Sequence, residues 1–375
     1  MISHAPHGQR PLRTVQVLGG GGSTSGVHVR SLAAGLVARG VRVTVAAPAE
    51  VGRAFAFDGV GAGHAPLPRG ADPTSIAALR ALCADADLVH AHGVDAGFRA
   101  GLALTGRRLP LVVTWHERAR PRGAWTHAVR LAERRVARSA SVVLGSCGDL
   151  VDRARRRGAR DARLAAAVLP GPAGAGRGPD AEVARQKARA ELGSAGRPLV
   201  VAAGPLEAHR GYEVLLDAVP RWAGLDPVPL LVIVGEGPLR GALQRRIDLG
   251  ALPVRLSGRR DEALDLLVGA DVVVVASPWE GRSALAQGAL RAGVPLVATA
   301  VGGTPELVGD AAELVPYGDA GALGEAVVRV LGDPGRRRWL RERGFAQAAT
   351  WPTEDETVAQ VLSVYDELTR PTLWR

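Results

Sequence analysis

Four loops in the second half of the chain combine glycines with charged side chains, and each follows a short apolar run. These loops are residues 204–211, 235–238, 277–283 and 302–306, and their charged side chains include Arg210, Glu280, Arg282 and Glu306. Glycines let the main chain approach a ligand closely, and unpaired loop amides bind anions. A cation that neutralises phosphate beside a carboxylate that accepts sugar hydroxyls is what a nucleotide sugar requires. We therefore predict a nucleotide-sugar site built from these loops.

A further glycine-rich loop follows the first apolar run of the chain and contains Gly20, Gly21 and Gly22. It reads Gly-Gly-Gly-Gly-Ser-Thr-Ser-Gly over residues 19–26 and opens a helical pattern at Val27. The free amides at a helix start suit such a loop to a phosphate or a sugar. A dinucleotide site is disfavoured, because no acidic residue ends the second strand about 20 residues further on. The prediction is a general anion or substrate loop.

Three histidines end predicted strands of the first half. His90 and His92 end the third strand, and His116 ends the fourth. Parallel strands end at one edge of a sheet, where an imidazole can donate to a hydroxyl or stabilise a developing phosphate charge. His116 is the candidate catalytic residue among the three, with a structural histidine as the alternative.

No metal site is predicted from the spacing of acidic and sulfur ligands. Asp85 and Asp87 resemble the Asp-x-Asp of metal-dependent sugar transferases, but they precede a strand, so we expect a solvated turn. Cys83 and Cys147 have neither metal-ligand spacing nor the density of a disulfide scaffold, which fits a reducing cytosol.

Elements that could position these side chains alternate along the whole chain. The predicted strands are Thr14–Gly19, Arg42–Ala47, Asp87–His92, Leu111–Trp115, Ser141–Gly145, Leu199–Gly204, Leu230–Gly235, Val254–Gly258, Asp271–Ala276 and Leu296–Ala300. The predicted helices include Val27–Arg39, Tyr212–Trp222, Leu239–Leu249 and Ser283–Ala292, and a helical stretch, Arg336–Leu368, closes the chain. Continuous apolar strands separated by helices indicate parallel sheets covered on both faces. The fold class is therefore α/β, with two Rossmann-like doubly wound parallel-sheet domains.

The stretch Pro-Gly-Pro-Ala-Gly-Ala-Gly-Arg-Gly-Pro at 170–179 separates the two domains. We assign residues 1–171 to the first domain and 172–196 to a linker and connecting helix. Residues 197–350 form the second domain, and 351–375 form a C-terminal helix expected to pack back on the first. Ligands of doubly wound sheets bind at the carboxyl ends of the strands, where the loops described above lie.

The net charge of +10 on 375 residues is carried by one segment. Between Arg118 and Arg163 thirteen arginines accompany four acids, a local charge of +9. This segment is either the solvated face of a packing helix or a surface for an anionic membrane. Nucleic acid is disfavoured, because the segment has no recognition motif and almost no stacking aromatics. With no signal peptide and no run of about 20 apolar residues, we expect a cytoplasmic protein, with peripheral contact at the inner membrane face as the alternative.

The residues resemble the family 4 retaining glycosyltransferases of the GT-B fold over nearly the whole chain. The sharpest likeness is Ser-Pro-Trp-Glu-Gly at 277–281, Ala-Leu-Arg-Ala-Gly-Val-Pro-Leu-Val-Ala-Thr at 289–299 and Val-Gly-Gly-Thr-Pro-Glu at 301–306. The glycine-rich first loop, the strand-end histidines and Val-Gly-Glu-Gly-Pro at 234–238 support it. As a signature of the fold this combination is strong.

The resemblance implies transfer of a hexose from a UDP- or GDP-linked donor to an unidentified acceptor, lipid-linked or another small molecule. The anomeric configuration would be retained, with no metal ion and no cofactor. Glu280 would hold the hydroxyls of the donor sugar, Arg210 would neutralise the diphosphate, and His116 would stand beside the sugar across the cleft. The residues that would line the nucleotide and its phosphates are Gly20, Gly21, Gly22, Gly235, Arg282, Ser283, Gly302, Gly303 and Glu306.

The chain departs from the family pattern in three respects. Gly288 stands where a second glutamate, eight positions after Glu280, usually contacts the ribose, and Pro205 replaces a phosphate-binding arginine. Arg282 and Ser283 replace a Phe-Gly pair, and we hypothesise that Arg282 partly supplies the cation missing at 205. The alternative function is a degenerate member that binds a nucleotide sugar or a partner without catalysis. A nucleotide-sugar 2-epimerase is disfavoured, because such enzymes lack the Glu-Gly and Gly-Gly-x-Pro-Glu arrangement.

Overall fold

The computed structural model describes residues 10–19, 23–119, 125–167, 180–194, 196–260 and 263–370. The chain divides into two compact units. The first is residues Met1–Pro170 together with Pro352–Arg375, and the second is Gly171–Trp351. The predicted interdomain stretch, 170–179, lies outside the described residues.

The first unit contains a parallel sheet of seven strands. In chain order these are β1 (Arg13–Leu18), β2 (Arg42–Ala47), β3 (Gly63–Pro66), β4 (Leu88–His92), β5 (Leu111–Trp115), β6 (Val142–Gly145) and β7 (Ala162–Leu164). Their order across the sheet is β3-β2-β1-β4-β5-β6-β7, and every neighbouring pair is parallel. The connections change direction between β1 and β4, which is where a doubly wound sheet opens a crevice for a ligand.

The second unit repeats this topology with six strands. They are β8 (Leu199–Ala203), β9 (Leu230–Val234), β10 (Val254–Gly258), β11 (Val272–Val275), β12 (Leu296–Thr299) and β13 (Glu313–Val315). The order is β10-β9-β8-β11-β12-β13, again with parallel neighbours. The change of direction here falls between β8 and β11.

Helices connect the strands and cover the faces of both sheets. They are α1 (Ser23–Ala38), α2 (Ala49–Phe55), α3 (Pro73–Leu82), α4 (Val94–Ala103), α5 (Trp125–Ser139), α6 (Gly148–Arg156), α7 (Ala181–Glu191), α8 (Tyr212–Ala218), α9 (Arg240–Leu249), α10 (Ala284–Ala292), α11 (Thr304–Val308), α12 (Ala320–Gly332), α13 (Pro334–Ala349) and α14 (Glu354–Thr369). Short 3-10 helices occupy Phe57–Val60, Ala208–Arg210, Val219–Arg221 and Asp265–Gly269. Because helices lie on both faces, the central strands are buried throughout, as β4, β5, β9 and β11 are.

The last helix belongs to the first unit. A capping box begins α14, in which the Thr353 hydroxyl binds the Glu356 amide and the Glu356 carboxylate binds the Thr353 amide. The helix packs on α1, and its Tyr365 is fully buried. The helical stretch expected over Arg336–Leu368 is thus two helices, since α13 ends before Pro352 and α14 starts after it.

The arginine-rich segment 118–163 is partly neutralised inside the fold. Glu133, with only 1% of its surface exposed, binds Arg153 through two guanidinium nitrogens and Arg157 at 2.7 Å. Arg163 binds Asp161 and Glu367. The exposed arginines of this segment lie mainly on α5 and α6. Part of the local charge of +9 is therefore neutralised by ion pairs within the fold.

Candidate active site

The candidate site of the second unit lies at the carboxyl ends of β8 and β11, where charged side chains are in contact. The loop after β8 contributes Arg210, and the loop after β11 contributes Ser277 and Glu280. Nη1 of Arg210 donates to Oε1 of Glu280 at 2.8 Å, and the Ser277 hydroxyl donates to the same oxygen at 2.7 Å. Glu280 is 7% exposed, so these contacts compensate the desolvation of its charge. The two charged residues predicted from the sequence are therefore in direct contact.

Both charged groups keep unused hydrogen-bonding capacity. Among the described residues, the contacts of the Glu280 carboxylate fall on Oε1, which leaves Oε2 able to accept from a ligand hydroxyl. The buried Nε of Arg210 has no partner within the described part of the chain. A guanidinium with a spare donor and a carboxylate with a spare acceptor can bind phosphate and sugar together.

The pocket itself is small and partly apolar. It is lined by Arg210, Glu280, Ser277, Tyr212 and Ser283, with apolar side chains and backbone from β8, β11 and their loops. The Tyr212 hydroxyl donates to the Gly204 carbonyl at 3.0 Å, and burial raises the pKa of this phenol. Ser283 begins α10, its hydroxyl accepting from the amide of Ala286. Ser277 and Tyr212 are additions to the predicted site; their positions directly after a strand and at the start of a helix are the signal that could have found them.

Glycines hold these loops against one another. A Cβ atom at Gly235 would lie 2.0 Å from the carbonyl oxygen of Gly204, so the loop after β9 can only touch the loop after β8 without a side chain there. Gly302 has φ +54°, and a Cβ atom there would lie 2.2 Å from the carbonyl oxygen of Glu280. The predicted site residues Gly235 and Gly302 therefore act by letting backbones approach.

The remaining predicted residues of the second unit lie around this centre. The Gly303 amide donates to the Glu280 carbonyl at 2.9 Å, so in this structure it holds the loop and is not offered to a phosphate. Glu306 is exposed in the first turn of α11. Arg282 lies with its guanidinium carbon 5.7 Å from the centre of the Trp351 ring, which Arg291 also approaches at 5.5 Å.

The structure shows the surroundings of two positions that depart from the family pattern, Pro205 and Gly288. Pro205 is exposed in the loop after β8 and offers no charge. Gly288 is buried, and a Cβ atom there would lie 3.0 Å from Leu267 and 3.1 Å from Leu264. A glutamate at 288 would have to displace these leucines, so the missing carboxylate is matched by apolar packing.

In the first unit, Gly20, Gly21 and Gly22 lie outside the described residues. The strand-end histidines form a buried network. His92 Nε2 lies 2.9 Å from Oε1 of Gln16, and Nε2 of Gln16 donates to the Tyr365 hydroxyl at 3.0 Å. That hydroxyl is 2.6 Å from His90 Nδ1, and His90 Nε2 is 2.6 Å from the Thr114 hydroxyl. His90 is therefore a structural histidine that ties α14 to the strand ends.

His116 extends this network and meets a histidine that the sequence did not single out. Its Nε2 lies 3.3 Å from Nδ1 of His92, and the two rings are stacked 5.5 Å apart. The ring of His28, on α1, lies 5.1 Å from that of His116 and 6.0 Å from that of His92. Nothing local in the sequence pairs His28 with the others, because only the packing of α1 over the strand ends brings it there.

Burial keeps these imidazoles neutral. It lowers the pKa of His28 from 6.5 to about 4. The pKa of His90 falls to about 3, mainly through burial and further through the neighbouring His28. The pKa values of His92 and His116 lie well below 6.5 for the same reasons. At neutral pH the cluster therefore presents uncharged ring nitrogens.

The acidic pair that precedes β4 has a structural task. Asp87 accepts from the backbone amide of Arg13 at 2.8 Å and pairs with the Arg10 guanidinium. These contacts lie at the amino ends of β1 and β4, whereas the ligand edge of the sheet is at the carboxyl ends. Asp87 therefore stabilises the pairing of β1 with β4 and is not part of the ligand site.

Both units match known families. Residues 23–170 match the model described as Glycosyl transferase 4-like domain, and residues 197–333 match the model described as Glycosyl transferases group 1. The chain belongs to glycosyltransferase family 4. The matched segments include the Arg210 and Glu280 loops and the strand-end histidines.

Curated relatives are similar over part of the chain. TuaC of Bacillus subtilis (strain 168), named as a teichuronic acid biosynthesis glycosyltransferase, is 29% identical to this chain over 249 residues, which are 65% of the chain and 61% of TuaC. A GDP-mannose-dependent alpha-(1-6)-phosphatidylinositol monomannoside mannosyltransferase of Mycolicibacterium smegmatis is 32% identical over 196 residues, 48% of the chain and 51% of that enzyme. The chain thus spans less than two thirds of either relative.

The fold is shared with solved structures. Alr3699/HepE of Anabaena, crystallised with UDP, has a TM-score of 0.80 at 18% identity. The superposition covers 95% of this chain and 100% of the HepE chain. The predicted fold class, two Rossmann-like domains of GT-B type, is confirmed. Within its described residues the chain contains no helix that combines the length and the apolar character needed to cross a bilayer.

Proposed function

We propose that the protein transfers a hexose from a UDP- or GDP-linked donor to an acceptor, with retention of the anomeric configuration and without a metal ion in the chemistry. The observation that carries this proposal is the contact between Arg210 and Glu280 at the carboxyl ends of β8 and β11. Family membership supports a transferase, and a relative named for GDP-mannose and a structural neighbour crystallised with UDP support a nucleotide-linked donor. The acceptor would bind to the first unit.

Arg210 is suited to the charge that develops as the glycosidic bond to the diphosphate breaks. Its buried Nε is a preorganised donor, and a fixed cation in a dry site stabilises a leaving group without solvent reorganisation. In metal-dependent transferases a divalent ion neutralises this charge, and here the Arg210 guanidinium would do so. Arg210 also supplies positive charge at the diphosphate where Pro205 offers none.

Glu280 is suited to orienting the sugar. Arg210 and Ser277 fix Oε1, so Oε2 can accept hydroxyl hydrogens of the hexose in one orientation. Holding the sugar in a reactive orientation lowers the entropic part of the barrier. In this proposal His116 also contacts the donor sugar, and the amide of Gly302 is offered to the phosphates.

Calorimetry with UDP, GDP and their hexose conjugates, followed by an assay of nucleoside diphosphate release, tests this function. We expect one nucleotide class to bind and its sugar conjugate to turn over. Binding without turnover, with and without candidate acceptors, would favour the non-catalytic alternative. Absence of binding to every nucleotide would contradict a donor site at Arg210 and Glu280.

Arg282→Ala is expected to weaken donor binding if Arg282 supplies part of the missing phosphate cation. Loss of one charge-assisted contact should lower affinity by about 10-fold, since such contacts contribute roughly 1.5–3 kcal/mol. Arg291→Ala is the matched control, because it removes the other guanidinium from Trp351 without altering the loop after β11. Calorimetry should show weaker donor binding for the first variant only. Unchanged donor affinity in Arg282→Ala would refute the role.

The exposed part of the arginine-rich segment leads us to propose a peripheral membrane surface. This basic surface consists of Arg130, Leu131, Arg134 and Arg135 on α5, and Leu131 is 63% exposed among the arginines. Arginines flanking an exposed apolar side chain suit the headgroup region of an anionic bilayer. Such a surface would bring the protein to a lipid-linked acceptor.

Co-sedimentation with vesicles tests the basic surface. Wild-type protein is expected to bind vesicles containing phosphatidylglycerol but not vesicles of phosphatidylcholine, and to dissociate as salt is raised. Arg134→Glu/Arg135→Glu should abolish binding, whereas Arg245→Glu/Arg338→Glu, an equal charge change on exposed arginines of the second unit, should not. Equal binding by both double variants would eliminate this surface.

A further inference from the structure

Three histidines of the first unit bring ring nitrogens together in a way that the transfer reaction does not use. His28, His92 and His116 each offer one ring nitrogen, and the three atoms lie within 4.8 Å of one another. His28 and His92 are 5% and 4% exposed, so two of the three rings are held inside the fold. We propose that these histidines form a binding site for a zinc-class transition-metal ion.

One edge of the coordination polyhedron already has the required length. Nδ1 of His92 and Nε2 of His116 are 3.3 Å apart. Zinc–imidazole bonds of 2.0–2.1 Å arranged tetrahedrally separate neighbouring ligand atoms by about 3.3–3.4 Å. The third nitrogen, on His28, has to approach by at most about 1.4 Å, which a rotation of one side chain on α1 provides.

Hydrogen bonds orient His92 as they orient known zinc ligands. Oε1 of Gln16 accepts from Nε2 of His92, because the amide nitrogen of Gln16 is engaged with Tyr365. The proton of His92 therefore lies on Nε2, and the lone pair of Nδ1 points toward His116. A metal-binding histidine characteristically donates its other ring N–H to such an acceptor, which fixes its tautomer.

The ligand set selects the class of metal. Three neutral imidazoles suit zinc, copper and nickel, whereas magnesium, calcium and manganese prefer oxygen ligands. Three protein ligands leave a fourth position for water. The site therefore differs in kind from the diphosphate-bound magnesium or manganese of metal-dependent sugar transferases.

Occupancy has a consequence that rests on the proposed function of His116. The proton that Nε2 of His116 shares with Nδ1 of His92 is lost to solvent while Nδ1 of His116 takes one up, and the ion binds the freed Nε2 lone pair. The ion fixes this ring, so zinc inhibits transfer, and chelation restores it. His28 has no part in the proposed reaction, so His28→Gln should retain turnover while losing inhibition by zinc. This pattern is the reverse of a catalytic metal, whose removal abolishes activity.

Titration of the tag-free, EDTA-dialysed full chain with zinc sulfate tests the site directly. We expect one ion per chain by calorimetry, with affinity lowered by about 10-fold or more in His28→Gln and in His92→Gln, since each removes a ligand. His127→Gln is the matched control, an exposed histidine on α5 that should leave binding unchanged. Circular dichroism of each variant identifies loss of fold.

Cobalt(II) supplies a readout that does not depend on the variants or on transferase activity. Visible absorption of tetrahedral cobalt bound to wild-type protein, displaced by one equivalent of zinc, would support the site. Zinc affinity unchanged in His28→Gln, or abolished by replacing His4 and His7 instead, would overturn the proposal, as would absence of binding. Absence of zinc inhibition despite one bound ion would overturn only the consequence for His116, so failure of the proposed function is separated from failure of the metal site.

Discussion

Arg210→Gln is expected to lower the kcat of donor turnover by about 10²- to 10³-fold, the range seen when a preorganised transition-state donor is removed. The substitution removes the charge that faces the leaving diphosphate. It also leaves Glu280, whose side chain is only 9% exposed, without its cationic partner. Steady-state release of nucleoside diphosphate, measured at saturating donor, gives kcat without interference from weaker binding.

A second arginine in the same unit provides the control. Arg240 pairs with Glu236 at the same 2.8 Å, but it is 40% exposed and does not line the pocket. Arg240→Gln should alter kcat by less than about 2-fold, because an exposed ion pair contributes little. Equal turnover in wild type and Arg210→Gln would remove Arg210 from the mechanism, whatever the binding constants.

Gly302→Ala is expected to weaken donor binding by about 10-fold or more and to destabilise the fold by about 1–3 kcal/mol. Its φ of +54° strains any L side chain, and the added Cβ would lie 2.2 Å from the Glu280 carbonyl oxygen and 2.6 Å from Nε1 of Trp279. The loop that carries Glu280 must therefore move. Calorimetry with the donor and urea unfolding measure the two effects.

Strain and displacement can be separated with a second glycine of the same unit. Gly318 has φ +85°, and a Cβ atom there would meet no described atom within 4 Å. Gly318→Ala should lose about 1 kcal/mol of unfolding free energy while binding the donor as wild type does. Wild-type donor affinity in both variants would show that the position of the Glu280 backbone does not matter for the donor.

The fold was predictable where hydrophobic runs were long. Arg42–Ala47 and Leu111–Trp115 have the bounds expected from their apolar pattern. The short edge strands β3, β7 and β13 were not predicted, because β3 contains glycine and proline and β7 and β13 have only three residues each. Pairing with a neighbouring strand stabilises these edge strands, and this pairing cannot be predicted from the local sequence pattern.

The site was predictable as far as loop position determines it. Arg210 and Glu280 follow strands of one sheet, so topology alone brings them to the same edge. His28 was missed, because its placement depends on how α1 packs over the strand ends. The packing around Gly288 likewise depends on Leu264 and Leu267, which lie far from it in the sequence.

The anomeric configuration of the first product, followed by proton NMR from the moment of mixing with the donor identified by calorimetry, tests the central claim most directly. It reports activity, donor class and stereochemistry in one spectrum. We predict that the sugar transferred to acceptor or water first appears with the configuration of the donor, and that Arg210→Gln delays its appearance in proportion to kcat. A first product of the opposite configuration, or no product with the donor bound, would contradict retaining transfer at the Arg210 and Glu280 site.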